Sequence, residues 1–174
     1  MSDSTRQTGF GMMLVAALAM LGGLTWFFSD RLEQRSNPNR VVESERVGDR
    51  IDITLRADRQ GHYVATGEIN RTEVTFLVDT GATLVSVPEE LADQLGLERQ
   101  APIGLQTAAG PVQGYLTRLD EVRLGDIVQR DVRAAINPGR HDTVLLGMSF
   151  LRDLELVHRD GELTLRTASL GTSD

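Results

Sequence analysis

The chain has 174 residues, 40% of them hydrophobic, and a formal net charge of −7, which leaves room for one ordinary globular domain. The acidic balance argues against nucleic acid as a partner, because phosphate binding requires a basic patch. The lack of cysteine excludes disulfides, thiolate metal sites and a thiol nucleophile. We predict neither a metal nor another cofactor, because the three histidines lie without metal-ligand spacing: His62, His141 and His158.

The first predicted element is a membrane-spanning helix over residues 10–28, FGMMLVAALAMLGGLTWFF, which follows a short N-terminal tail of residues 1–9. About 19 apolar residues, each rising ~1.5 Å, just span a ~30 Å hydrocarbon core. The aromatic residues at the end of this segment suit a membrane interface. A cleaved signal peptide and a buried helix are the alternatives. The bulky residues at the exit favour an uncleaved anchor in the lipid bilayer.

Residues 29–49 are polar and charged, without apolar periodicity, and we predict a flexible linker there. Arg31, Arg35 and Arg40 follow the helix and only Arg6 precedes it. This positive-inside count points the C-terminal part of the chain toward the cytoplasm. Long domains translocate largely regardless of charge, so the count does not decide the orientation.

From about residue 50 the pattern becomes that of short strands separated by turns. Strands are predicted at residues 51–55, 62–69, 73–78, 82–87, 103–107, 112–124, 128–136, 154–157 and 162–165. Short helical segments are predicted at residues 88–96 and 148–152. We therefore expect an all-β domain over residues 50–167, closed into a barrel-like form, with one or two short helices and a frayed tail at residues 168–174.

The most informative tripeptide, Asp79-Thr80-Gly81, directly follows the apolar run of residues 74–78. Asp and Gly are both turn residues, and such a tripeptide occurs by chance in about one chain in ten of this length. An apolar, β-branched stretch resumes at once, which favours a strand, a tight loop and a second strand. Further along the chain, a second apolar run ends at Gly147.

The order of these features resembles that of the retropepsin-like aspartic proteases, above all the bacterial members that place one membrane helix before a single such domain. The resemblance covers residues 51–166 and the predicted anchor. Retroviral members often carry an acidic residue where this chain has Thr83, so contacts between copies near the site are expected to differ. The resemblance rests on Asp79-Thr80-Gly81-Ala82, on Leu145-Leu146-Gly147 and, less specifically, on Thr107-Ala108-Ala109-Gly110.

The resemblance implies an aspartic endopeptidase of the retropepsin fold that acts on protein or peptide substrates. Asp79 would be the catalytic residue, supported in its loop by residues 80–82. Because the chain has one such motif, two copies would have to form a homodimer and contribute one carboxylate each. Residues 145–147 would pack behind the loop, and the hairpin tip at residues 107–110 would close over the substrate as a flap.

Two other interpretations use the same residues. One is a catalytically inactive, membrane-tethered dimerisation or peptide-binding module on the same fold, and the intact motif at residues 79–82 counts against it. The other is an anchored β-domain in which the tripeptide is only a turn. From the resemblance, and against the charge count, we expect a single-pass protein of the bacterial inner membrane with its protease domain in the periplasm.

Overall fold

The computed structural model describes residues 20–23, 37–107, 110–139 and 141–168. The chain divides into two units, residues 1–36 and 37–174. In the first unit residues 20–23 are helical, and most of the predicted anchor lies outside the described residues. None of the helices in the described part of the chain has the length and apolar character that crossing a membrane requires.

The second unit is mostly β, as predicted. Its described elements are β1 (Ser44–Val47), β2 (Arg50–Arg56), β3 (Val64–Ile69), β4 (Thr72–Val78), β5 (Val85–Pro88), α1 (Glu89–Gln94), β6 (Pro102–Thr107), β7 (Gly110–Leu124), β8 (Ile127–Asn137), β9 (Thr143–Leu146), α2 (Met148–Leu151), β10 (Leu154–Arg159) and β11 (Glu162–Thr167). Both predicted helices are present and short. The helix α1 begins directly after Pro88, whose φ of −60° suits a helix start.

The larger sheet has seven strands in the order β3-β4-β9-β5-β8-β7-β6. The pairs β4–β9 and β5–β8 are parallel, and the remaining pairs are antiparallel. Alternation with period two turns one set of side chains inward, and the core includes Ile69, Phe76, Leu119 and Leu146. The strand β3 also pairs with β7 over two residues. Closure of this sheet into a barrel stays a prediction.

The smaller sheet has four antiparallel strands in the order β1-β2-β11-β10. Its inner face is apolar and belongs to the same core as the larger sheet, through Ile53, Leu55, Leu163 and Leu165. Its outer face is charged: the Arg166 guanidinium lies 3.1 Å from the Asp52 carboxylate. One buried face and one solvated face are typical of antiparallel sheets.

The end of the predicted linker needs correction, because residues 37–49 belong to the β unit. Asn39 is only 6% exposed. Its side-chain amide donates to the carbonyls of Arg56 at 2.9 Å and Val64 at 2.6 Å, and its oxygen accepts from the Arg56 N–H at 2.7 Å. The Asn39 carbonyl accepts from the Thr66 N–H at 3.1 Å. Asn39 thus joins β2 to β3, since an amide side chain can satisfy backbone donors and acceptors together.

Candidate active site

Asp79 lies directly after β4, where the chain leaves the larger sheet. Its N–H bonds to the Leu146 carbonyl at 3.2 Å, and its own carbonyl accepts from the Ala82 N–H at 3.2 Å, which closes a tight turn. The Asp79 carboxylate accepts a hydrogen bond from the Gly81 N–H at 2.9 Å. The side chain of Asp79 is half-buried and Thr80 is exposed. One carboxylate oxygen is therefore oriented by the backbone of the loop itself.

The helix α2 holds the other end of this loop. The Ala82 carbonyl accepts from the Met148 N–H at 2.8 Å, and the Thr83 carbonyl accepts from the Ser149 N–H at 3.0 Å. The Ser149 hydroxyl in turn accepts from the N–H of buried Val85 at 2.8 Å. Backbone and side chain of one helical turn therefore satisfy Ala82 and Thr83 in the loop and Val85 at the start of β5.

The strand predicted at residues 82–87 is shorter in the structure, where β5 begins at Val85. Residues 82 and 83 give their carbonyls to α2 instead of to a neighbouring strand. The sequence prediction missed this role of Ser149, because its partner lies 64 positions away along the chain. The only local signal is that Ser149 closely follows Gly147.

Gly147 lies against the backbone of the same loop. A Cβ at this position would come within 2.3 Å of the Leu84 carbonyl oxygen and 2.7 Å of the Ala82 carbonyl oxygen, so only glycine fits. Leu146 is fully buried and lies beside Val78 in the parallel pairing of β4 with β9. Leu145, next to it in β9, is half-buried. The structure thus brings residues 145–147 together with the Asp79 loop.

The predicted flap is the hairpin of β6 and β7. Thr107 pairs with Gly110, and its hydroxyl donates to the Gly110 carbonyl at 2.7 Å. Gly110 has a φ of +114°, which favours glycine. Ala108 and Ala109 lie outside the described residues. Among the residues that the structure describes, no hydrogen bond joins the hairpin tip to the Asp79 loop.

The base of this hairpin is closely packed. A Cβ on Gly114 would come within 2.3 Å of the Ile136 carbonyl oxygen, so glycine lets β7 run close to β8. The buried Asn137 amide donates to the Ser86 hydroxyl at 2.8 Å and links β8 to β5. A cavity of about 240 Å³ lies at this base, lined by Glu89, Gln113, Gly114, Tyr115, Ile136, Asn137 and Pro138.

Two ion-pair clusters on the surface of the β unit shift the pKa of one of their members. Hydrogen bonds from Arg123, and more weakly from Arg130, lower the pKa of Glu121 on β7. Ion pairing with Asp93, and then with Glu89, raises the pKa of Arg99. No cluster of three or more possible metal ligands occurs within the described ranges.

Comparison with known proteins agrees with this geometry. A mostly β fold with an Asp-Thr-Gly loop held by an apolar-apolar-Gly segment is that of the retropepsin-like aspartic proteases. Residues 65–153, just over half of the chain, match the family described as gag-polyprotein putative aspartyl protease. The protein belongs to this family.

Two relatives come from bacteria. The chain is 31% identical over 144 residues to an uncharacterized protein in the cobV 5′ region of a Sinorhizobium species, a match that covers 80% of this chain and 62% of that protein. It is 24% identical over 123 residues to an uncharacterized protein of Rickettsia prowazekii (strain Madrid E), covering 66% of this chain and 50% of that protein. The chain thus spans only part of the length of both relatives.

Among solved structures, the chain is similar to a retropepsin-like aspartic protease from Rickettsia conorii. The TM-score is 0.59 at 24% sequence identity, and the match covers 74% of this chain and 97% of that protein. At this level of identity the likeness shows a common fold.

Proposed function

We propose that this protein is an aspartic endopeptidase whose active site forms between two copies of the chain. The observation that carries the proposal is the Asp79 carboxylate, half-buried at the end of β4 with one oxygen oriented by the Gly81 N–H, in a member of an aspartyl protease family. The family match contains one Asp-Thr-Gly loop. A second carboxylate must therefore come from a second copy.

In this mechanism two Asp79 carboxyl groups lie about 3 Å apart and share one proton, because both cannot stay ionised at that distance. The ionised group takes a proton from a water molecule whose oxygen bonds to the peptide carbonyl carbon. The protonated group gives its proton to the carbonyl oxygen, which forms a gem-diol. As the C–N bond breaks, the carboxyl group that is now protonated gives its proton to the nitrogen, and the other carboxylate takes a proton from one gem-diol hydroxyl. The carboxylic acid and amine products then leave with one proton still on the pair.

The surroundings of Asp79 support this role. Backbone bonds from Leu146 and α2 hold the loop in one geometry, which lowers the entropy cost of aligning a catalytic group. The hairpin tip at residues 107–110 would close over an extended peptide and bind its backbone, while excluding bulk water. Gly110, with its positive φ, and the exposed Thr107 suit a segment that moves.

The test compares the full-length protein with Asp79→Asn and with Asp126→Asn, a matched control in the exposed turn between β7 and β8. Each is incubated with a mixed peptide library from pH 3 to 8, and products are read by mass spectrometry. We expect cleavage by the parent and the control, and a loss of at least about a thousandfold in Asp79→Asn. Equal cleavage by Asp79→Asn would refute the proposed mechanism. A dimeric parent that cleaves nothing would favour the peptide-binding module.

A mixing experiment tests whether two copies of the chain share one active site. Adding a threefold excess of the Asp79→Asn protein should reduce cleavage per parent chain to about one quarter, because most parent chains then pair with an inactive copy. Excess Asp126→Asn protein should cause no such loss. Undiminished activity in the first mixture would mean that one chain suffices.

We also propose that residues 10–28 anchor the protein in the bacterial inner membrane, with the protease domain in the periplasm. The support is the length and apolar character of this segment. A reporter that is active only in the periplasm, fused after residue 168, should be active in the full chain and inactive when residues 1–28 are removed. Equal activity of the reporter in both fusions, or release of the full chain by alkaline carbonate, would contradict the anchor.

A further inference from the structure

The β6–β7 hairpin leaves the larger sheet at Tyr115. This residue is the first of β7 to pair with β8, opposite Ile136, and it also pairs with Pro102 of β6. Within the described part of the chain, residues 110–114 pair with β6 alone. The hairpin is therefore a two-stranded extension that joins the sheet at its base, and whatever binds at the base can act on its position.

The cavity of about 240 Å³ lies at this base. Gln113 belongs to the hairpin, Tyr115 lies at its junction with the sheet, and Glu89 and Asn137 belong to the body of the fold. None of the described lining residues lies in the Asp79 loop, so the cavity is separate from the proposed active site. A molecule bound in the cavity would contact both the hairpin and the body, and would tie one to the other.

The described walls of the cavity offer hydrogen-bond acceptors and an aromatic ring but no basic side chain. Glu89 supplies a carboxylate, and its side chain is 47% exposed. Gln113 and Tyr115 are two positions apart on β7, so their amide and phenol groups lie on the same face of the strand. Asn137 is buried, and both its amide nitrogen and its amide oxygen are already hydrogen-bonded within the fold. The carboxylate, the Gln113 amide and the phenol ring are the groups left for a ligand.

The Glu89 carboxylate can accept a second cation. Its Oε1 atom accepts from the Arg99 guanidinium at 3.1 Å, and the same guanidinium lies closer to Asp93, at 2.7 Å. Among the described residues, no bond to the Oε2 atom of Glu89 occurs. A cation in the cavity can therefore pair with Glu89 while Arg99 keeps Asp93 as its partner, and no charge is left uncompensated.

These groups suit an organic cation, above all a guanidinium. A guanidinium stacks on a phenol ring and donates several N–H bonds in one plane, which carboxylate and amide oxygens accept. The cavity has the volume of about eight water molecules, enough for this group with a short alkyl stem. The larger cavity on the outer face of the smaller sheet, about 480 Å³, lacks such selectivity because Arg56 and Arg166 line it together with acidic residues.

We propose that the cavity at the base of the hairpin binds a guanidinium or alkylammonium group and thereby holds the hairpin against the start of α1. The same chemistry is offered by a small free cation and by a basic side chain of a bound polypeptide. The consequence for catalysis rests on the proposed function: a hairpin that is held in place admits and releases peptides more slowly.

The first test titrates the full-length protein with ethylguanidinium and with ethylurea, its uncharged isostere, at constant ionic strength. Ligand-observed NMR should show saturable binding of ethylguanidinium, with a Kd on the order of 1 mM, and no binding of ethylurea. Glu89→Gln should weaken binding at least about tenfold and Tyr115→Leu at least about threefold. Glu98→Gln, in the exposed segment before β6, is the matched control and should bind like the parent. Equal binding of the two compounds, or equal binding by Glu89→Gln and the control, would overturn the site.

The second test follows the hairpin itself by amide hydrogen exchange, which requires no protease activity. Saturating ethylguanidinium should slow exchange in peptides that cover residues 102–115 at least about threefold, because the hairpin opens less often when its base is tied to α1. The same concentration should leave the exchange of Glu89→Gln unchanged. If exchange of the parent does not slow at saturation, the proposed hold on the hairpin is wrong.

Cleavage assays distinguish the two sources of the cation. One cleaved peptide is prepared with arginine, or with uncharged citrulline, at a position away from the cleaved bond. A lower KM for the arginine peptide that disappears in Glu89→Gln identifies a substrate side chain as the occupant, whereas equal KM values identify a free cation. Saturating ethylguanidinium should slow cleavage of the citrulline peptide at least about threefold in the parent and not in Glu89→Gln. Unchanged cleavage in the parent would refute the effect on the hairpin.

This proposal and the proposed function fail in different ways. A protein that binds ethylguanidinium through Glu89 and cleaves no peptide would leave the binding site standing and remove the protease activity. A protein that cleaves peptides through Asp79 and binds ethylguanidinium no better than ethylurea would leave the activity standing and remove the binding site.

Discussion

The Asp79 loop and the tip of the β6–β7 hairpin are both short connections between strands, but the protein holds them differently. Backbone bonds from β9 and α2 fix the loop, and Gly147 packs against it without space for a Cβ. At the tip, the Thr107 hydroxyl bonds to the Gly110 carbonyl, and Thr107 is exposed. Neighbouring elements thus fix the Asp79 loop from both sides, whereas the Thr107 hydroxyl bonds within its own hairpin.

The largest expected loss of stability comes from adding one methyl group beside the Asp79 loop. The same change in the β6–β7 hairpin is expected to have little effect. Gly147→Ala should lower the free energy of unfolding by about 2–3 kcal/mol, because the new Cβ overlaps two carbonyl oxygens of the loop. Gly104→Ala on β6 is the matched control, since nothing lies within 4 Å of its Cβ position. Urea denaturation of both variants measures the difference. Equal stability of the two would mean that the loop is not rigidly held.

A smaller effect should follow from removing one hydroxyl in each region. Ser149→Ala leaves the N–H of buried Val85 without its acceptor, which costs about 1–2 kcal/mol of unfolding free energy. Thr107→Val removes an exposed hydroxyl and should change the stability by less than about 0.5 kcal/mol. Thermal or urea unfolding tests both. A larger loss of unfolding free energy in Thr107→Val than in Ser149→Ala would mean that the hairpin tip, and not the Asp79 loop, depends more on its hydroxyl.

The smallest expected effect is a change in how the stability of the folded protein depends on pH. Hydrogen bonds from Arg123 and Arg130 hold the pKa of Glu121 below its ordinary value of 4.5. This ion pairing therefore stabilises the folded protein above about pH 4.5 and is lost as the pH falls through the lowered pKa. Glu121→Gln should flatten the dependence of the melting temperature on pH in that range. The same slope in parent and variant would contradict the assignment.

Local patterns predicted most of the secondary structure. The alternation of residues 51–55 became β2, and the segment with Pro88 at its start and Gly96 at its end became α1. The hairpin around Asp160-Gly161 formed with both turn residues at positive φ, as that dipeptide favours. These signals succeed because turn geometry, proline and alternation act over a few neighbouring residues.

The errors occur where distant residues act on one another. Polarity at residues 37–39 indicated a linker, yet Asn39 is buried because β2 and β3 offer it backbone partners. The apolar character of residues 82–84 indicated a strand, yet α2 takes two of their carbonyls. Neither partner can be read from the local pattern.

The sequence by itself determined the mostly β character of the domain, the single Asp-Thr-Gly motif and the resemblance that the family match confirmed. Only the tertiary structure decided which glycine must lack a side chain, which serine supports the loop, and which strands form the edges of the smaller sheet. Turn motifs and the periodicity of apolar residues depend only on residues that are close together along the chain. Close approach and strand order arise only when segments distant in sequence pack together.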